Sequence, residues 1–291
     1  MPQAEDQALP SLGVLEEFSR ASLAKWRAAG RDLRRFSRLL FFDLERHRAS
    51  HSDDLLDAIR SSARGPFEFR QWARLVDYQF TNEPLSIAGS IKRDGGRFNI
   101  GSALNPATYT PFPALYLAED FETAFRERFG IERSASRNGL TAEELALRRA
   151  NSFSSVVVSG LVETVIDIGD LDSLQATAQV LRQFQMPHSV ARLARSLRLK
   201  PPGLVRTASG LQRQLLNPNW RVEPAQYDLP SNSQIFGRLC LAAGVDAILY
   251  PSTKNGEKRC LALFPQNWRP LSSYIEVDGP HPPETNPIRI G

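Results

Sequence analysis

The run Asp94-Gly95-Gly96-Arg97-Phe98-Asn99, followed by Ala114-Leu115-Tyr116-Leu117-Ala118 and then Glu127, is the stretch on which the reading of this chain turns. Paired glycines let the backbone take positive φ and approach a ligand closely. Arg97 then offers a planar fork of donors that matches phosphate or carboxylate, a geometry lysine does not reproduce. The apolar run around Tyr116 predicts a strand, and Glu119 to Phe129 predicts a helix that carries Glu127. One arginine in a glycine-softened loop, a strand-borne tyrosine and a helical glutamate together suit an anionic dinucleotide.

Outward from this stretch, short strand-like runs recur at Trp72 to Phe80, Ser155 to Ser159, Thr164 to Ile168, Asp246 to Tyr250 and Cys260 to Phe264, punctuated by Gly, Pro, Asn and Asp. Between the last two, Lys254-Asn255-Gly256-Glu257 marks a hairpin. A second helical pattern runs from Gln234 to Ala243. Helix and strand do not alternate regularly enough for a doubly wound fold, so the class is α+β with a mainly antiparallel sheet. The main domain spans 66–275 on this reading. Within it, about 171–230 reads as an inserted helical subdomain or lid, with helices around Leu174 to Gln185 and Val190 to Leu199. The tail, 276–291, is rich in proline and reads as extended or mobile.

Residues 1–65 read as a basic helical extension. Leu15, Phe18, Leu23 and Trp26 recur at helical intervals, Gly30 offers a stop, and Leu33, Phe36, Leu40 and Leu44 begin a second pattern. From Arg20 to Arg48 nine Lys or Arg face only three acids, the strongest charge asymmetry in the chain. Either this is the solvated face of a helical hairpin, or it is a surface for a partner, nucleic acid or anionic lipid. The net charge of +4 is too small to imply nucleic acid by itself. The apolar stripes of the two helices also leave a homodimer open.

With 42% hydrophobic and 23% charged residues, the composition is that of a globular protein with material for a sizeable core. Cys240 and Cys260 sit in apolar surroundings without metal-ligand spacing, which points to buried free thiols and a reducing compartment. His47, His51, His188 and His281 have no partner cysteines at ligand spacing, so no metal site is expected. Glu5-Asp6 stands where a secretory signal would need an apolar run, and nowhere do about 18 apolar residues follow one another. A cytoplasmic protein without a membrane span is expected.

Each candidate residue has a bland reading beside the functional one. Arg74, in Trp72-Ala73-Arg74-Leu75-Val76, is costly in a strand unless paired or liganded, or else it is a sheet-edge arginine with its head in water. Arg97, with Gly96 and Asn99 beside it, either meets a ligand or ties its loop to a carboxylate. Tyr116 offers a ring for stacking, or it is a core tyrosine with a satisfied hydroxyl. Glu127 lies off the stripe of Phe121, Ala124 and Phe125, where an exposed glutamate is the default. Further on, Ser231-Asn232-Ser233-Gln234 opens a helix that leads into Val245 to Ser252.

Taken in order, Arg74, Gly95-Gly96-Arg97-Phe98-Asn99, Leu115-Tyr116-Leu117-Ala118, Glu127, Ser231 to Gln234 and Val245 to Ser252 resemble the RES-domain family, bacterial toxins named for an arginine, a glutamate and a serine. The resemblance covers most of Phe67 to Trp268. It implies a fold similar to ADP-ribosyltransferases, with NAD⁺ as substrate in a cleft, no metal, and cleavage of the nicotinamide–ribose bond by hydrolysis or phosphorolysis. Transfer of ADP-ribose to a protein acceptor is the alternative that the same site allows. Carried over by position, Arg74, Glu127 and Ser231 are the catalytic set, Ser252 is the rival serine, and Arg97, Tyr116, Asn99 and Gly96 bind the cofactor. The resemblance also implies an antitoxin partner with a helix-turn-helix domain. Phe98 stands where the family commonly has tryptophan, and Ile100 and Gly101 replace its usual prolines. A rival of another class is a binding module that uses the basic helices and has lost activity.

Overall fold

A computed structural model describes residues 20–130, 153–200 and 202–291. The start of the first predicted helix, with Leu15 and Phe18, lies outside the described residues. Helix α1 runs unbroken through Arg20–Ser50, so Gly30 does not end it. A mid-helix glycine costs about 1 kcal/mol relative to alanine. Gly30 ends the helix only if its backbone leaves the helical region, and the helix-forming Ala28, Ala29, Arg31 and Leu33 carry the helix past it. The chain then turns into α2 (Ser52–Ser62), whose Leu55 and Ile59 are fully buried.

The sheet begins with β1 (Phe67–Asp77), after which Tyr78–Phe80 form a 3-10 turn where the sequence suggested continued strand. Next come β2 (Gly95–Gly96), β3 (Asn99–Ile100), β4 (Leu115–Ala118) and α3 (Phe121–Phe129). Strands β5 (Phe153–Val162) and β6 (Val165–Asp167) precede a helical stretch of α4 (Gln175–Leu181), α5 (His188–Ser196), α6 (Ala208–Leu215) and a π-helical turn at Glu223–Tyr227. Helix α7 (Asn232–Ala242) leads into β7 (Ala247–Pro251), β8 (Arg259–Leu263), β9 (Tyr274–Val277) and β10 (Arg289–Ile290).

Among the described residues eight strands form one sheet in the order β10-β9-β5-β1-β4-β8-β7-β6, antiparallel except where β6 meets β7. Alternate residues of its centre serve opposite faces, as strand geometry requires. Leu115, Leu117, Leu261 and Leu263 pack on one side with Phe69 and Trp72. Ala118, Ala262, Ile248 and Tyr250 pack on the other, beneath the helices. The stretch 171–230 contributes Leu174, Ala178, Leu211 and Leu215 to that second face, in one cluster with Phe98 and Ile100. The proline-rich tail, read from sequence as extended or mobile, is stitched to the sheet edge. Arg289 pairs with Glu276 and Ile290 with Ile275, and the Arg289 guanidinium bonds the Glu276 carboxylate at 2.9 Å.

Candidate functional site

Strands β2 and β3 form a hairpin in which Gly95 faces Ile100 and Gly96 faces Asn99, so Arg97 and Phe98 are its tip. Gly95 has φ of +81°, a conformation that suits glycine. Phe98 drops into the core, fully buried and edge-on to Tyr250 at 5.0 Å. Arg97 turns the other way and lines a cleft of about 370 Å³, together with Arg74, Tyr116, Glu127, Trp220 and Arg221.

The hairpin is held from two sides. In front, the Tyr116 hydroxyl donates to Asn99 Oδ1 and accepts from the Phe98 amide, both at 2.9 Å. Burial pushes this phenol far above its ordinary pKa, which keeps it a neutral donor. The Asn99 side chain also accepts from the Gly96 amide and donates to the carbonyls of Ser90 and Phe112. A Cβ on Gly96 would lie 2.4 Å from the Tyr116 hydroxyl, so only glycine fits there. Behind, the Gln234 amide nitrogen donates to the carbonyls of Asp94, Gly96 and Asn99 at 2.7, 3.2 and 3.0 Å.

Glu127 is half-buried on α3, not the solvated glutamate its helical position suggested. Its Oε1 accepts from the Ser252 hydroxyl and the Thr253 amide, both at 2.7 Å, from the Lys254 amide at 3.2 Å and from the Thr253 hydroxyl at 3.3 Å. Ser252 Oγ in turn accepts from the Lys254 and Asn255 amides, which aims its proton at Glu127. These donors lie on the loop 252–258 between β7 and β8. The predicted hairpin is therefore real, but with a long loop in place of a tight Asn-Gly turn. The Asn255 side chain fastens that loop to Thr123 on α3.

Arg97 reaches the same cluster through Thr253, donating to its hydroxyl at 3.1 Å and to the carbonyls of Leu215 and Asn217. Among the described residues no carboxylate pairs with it. Arg221, stacked 4.4 Å over the Trp220 ring, stands close enough to Arg97 to be affected by its charge. Burial first, and Arg97 second, lower the pKa of Arg221. Arg74 donates to the carbonyls of Ser86 and Tyr116, while its Nε is buried without a partner. Burial, with Arg128 nearby, lowers this guanidinium to about 10. Among the described residues none of Arg74, Arg97 and Arg221 makes an ion pair, and all three line the cleft with Glu127, an arrangement that favours an anionic ligand.

A family model of the RES domain matches residues 68–283. The chain belongs to the RES-domain family. A solved structure of the MbcT–MbcA toxin–antitoxin complex of M. tuberculosis aligns over 78% of this chain and 90% of that chain, with 16% identity and a TM-score of 0.42. No curated protein sequence matches the chain.

Within this RES domain, Arg74, Arg97, Gly96, Tyr116 and Glu127 all border the cleft, whereas Asn99 lies behind it with both ends of its amide engaged. Ser231 is elsewhere. It caps α7, its Oγ accepting from the Gln234 amide while Gln234 Oε1 accepts from the Ser231 amide, a reciprocal capping box. The serine brought to Glu127 is Ser252. Sequence reasoning missed Trp220 and Arg221, which arrive from the helical stretch and carry no local motif. It also missed Thr253, whose neighbourhood to Ser252 was the available signal. Among the described residues no three His, Cys, Asp or Glu side chains gather as a metal group, and no helix is long and apolar enough to cross a membrane.

Proposed function

We propose that the cleft binds NAD⁺ and breaks its nicotinamide–ribose bond. The observation that carries this reading is the fixed Glu127 carboxylate, held at one oxygen by four donors in a cleft that Arg97 and Arg221 also line. On this reading the two guanidiniums bind the diphosphate, and the rings of Tyr116 and Trp220 border the space for the base and nicotinamide. Departure of nicotinamide takes both bond electrons to its ring nitrogen and leaves positive charge on the ribose. A fixed carboxylate stabilises that charge. An oxygen nucleophile then bonds to the ribose carbon: water passes its proton to the solvent, whereas an anionic phosphate oxygen adds without releasing one. Ser252, donating to Glu127 and held by two backbone amides, keeps the carboxylate oriented.

Family membership extends the proposal. Consumption of NAD⁺ would make the protein a toxin of the cytoplasm, restrained by an antitoxin that covers the cleft. The test is product analysis with purified protein and NAD⁺, with and without phosphate, for wild type and Arg221→Gln. Release of nicotinamide, with a KM raised about tenfold or more by Arg221→Gln at little change in kcat, supports the reading. Phosphate dependence would identify the nucleophile. Nicotinamide release that ignores Arg221, or no binding of NAD⁺ by calorimetry, would overturn it.

A further inference from the structure

Helix α1 carries a second cationic feature, separate from the cleft. At about 100° per residue, Arg27, Arg31, Arg34, Arg35 and Arg38 fall within a sector of about 100°, and Phe42 and Arg46 continue it. All five of those arginines are exposed. Arg38 approaches Asp228 only at 3.9 Å, and Arg46 approaches Asp43 at 4.0 Å. Among the described residues no ion pair involves Arg27, Arg31, Arg34 or Arg35. The acid inside the sector, Glu45, is already engaged by Arg48 and Arg238.

Like charges at i, i+3 and i, i+4 repel, and this face stacks five such pairs, Arg27 with Arg31, Arg31 with Arg34 and Arg35, and Arg38 with Arg34 and Arg35. Mobile counter-ions screen this repulsion in part, and an anion that runs along the helix relieves it further by releasing them. From Arg27 to Arg46 the row extends about 29 Å, and a nucleic-acid duplex presents about one negative charge per 1.7 Å over such a length. Eight of the nine cations between Arg20 and Arg48 are arginine, the side chain whose fork fits phosphate oxygens in pairs. A bilayer is a poorer match. Phe41 and Leu44, which an amphipathic helix would insert, are committed to the protein body. We propose that the arginine face of α1 binds the phosphate backbone of a nucleic acid, without base selection.

The test is fluorescence anisotropy of the full chain with a labelled duplex of about 20 base pairs, titrated between about 50 and 200 mM salt. The variant replaces Arg27, Arg31, Arg34 and Arg35 by Gln, a good helix former, with circular dichroism to verify the fold. Wild type should bind, with affinity falling steeply in salt. The variant should lose at least about tenfold in affinity at the lowest salt, and its log–log salt slope should drop by about 3 to 4. Absence of binding by wild type at low salt would overturn the proposal, as would a well-folded variant with unchanged affinity and slope. Arginine-dependent binding to phosphatidylserine vesicles or to polyglutamate, with none to the duplex, would also overturn it and reassign the face.

Discussion

One oxygen of Glu127 collects four donors, and what each contributes can be separated by substitution. Ser252→Ala removes one of them and also the acceptor of the Lys254 and Asn255 amides. Nicotinamide release should fall by about tenfold or more. Ser231→Ala removes a helix cap instead and should cost about 1 kcal/mol in urea unfolding, with kcat per folded molecule unchanged. Equal losses of kcat in the two variants would contradict the assignment of Ser252. At the tip of the hairpin, Tyr116→Phe leaves Asn99 Oδ1 and the Phe98 amide each short of a partner. It should destabilise by about 1–3 kcal/mol. Arg97, Tyr116 and Glu127 were legible in the sequence because each sits in a local pattern of glycines, strand or helix. Ser252 was only the second choice, since its bond to Glu127 spans 125 positions and depends on how the loop 252–258 folds back onto α3. Arg221 gave no local signal at all, because the buried Trp220 and Leu215 decide where it stands.

At the scale of elements, α7 and the glycine hairpin behave as one unit. Gly237 is the point of contact, where an added Cβ would lie 1.9 Å from the Phe98 carbonyl. Gly237→Ala should therefore push the helix off the hairpin, destabilise by about 1–3 kcal/mol and raise KM for NAD⁺. Gly30 is the opposite case, where an added Cβ would meet nothing within 4 Å. Gly30→Ala should stabilise α1 by up to about 1 kcal/mol, read as a higher Tm. A loss of stability on Gly30→Ala would show that α1 is broken at this residue after all. Strand positions and the antiparallel class were readable from apolar runs and turn residues. The break predicted at Gly30 was not real, because one glycine without a left-handed cap only weakens a helix. The pairing of the tail was hidden because two residues, Arg289 and Ile290, make the strand.

Across the whole molecule, Glu45 is one of the groups that join α1 to the body: it is braced by Arg48 of the same helix at 2.7 Å and bonds Arg238 of α7 at 2.9 Å. Burial raises the Glu45 pKa, but the two arginines outweigh it and hold the carboxyl below its ordinary value of 4.5. A carboxylate with a depressed folded-state pKa stabilises fully above its unfolded pKa and loses that contribution as pH falls through the folded one. The stability difference between wild type and Glu45→Gln should thus be constant near neutrality and shrink below about pH 4.5. Urea midpoints measured across that range check it, and a difference independent of pH would remove Glu45 from the joint. For the cleft, the decisive experiment is single-turnover release of nicotinamide from NAD⁺ by wild type and Glu127→Gln. Wild type should release nicotinamide, and the variant should be slower by about 100-fold or more with NAD⁺ binding retained. Equal rates in the two proteins, or no release by wild type, would contradict it.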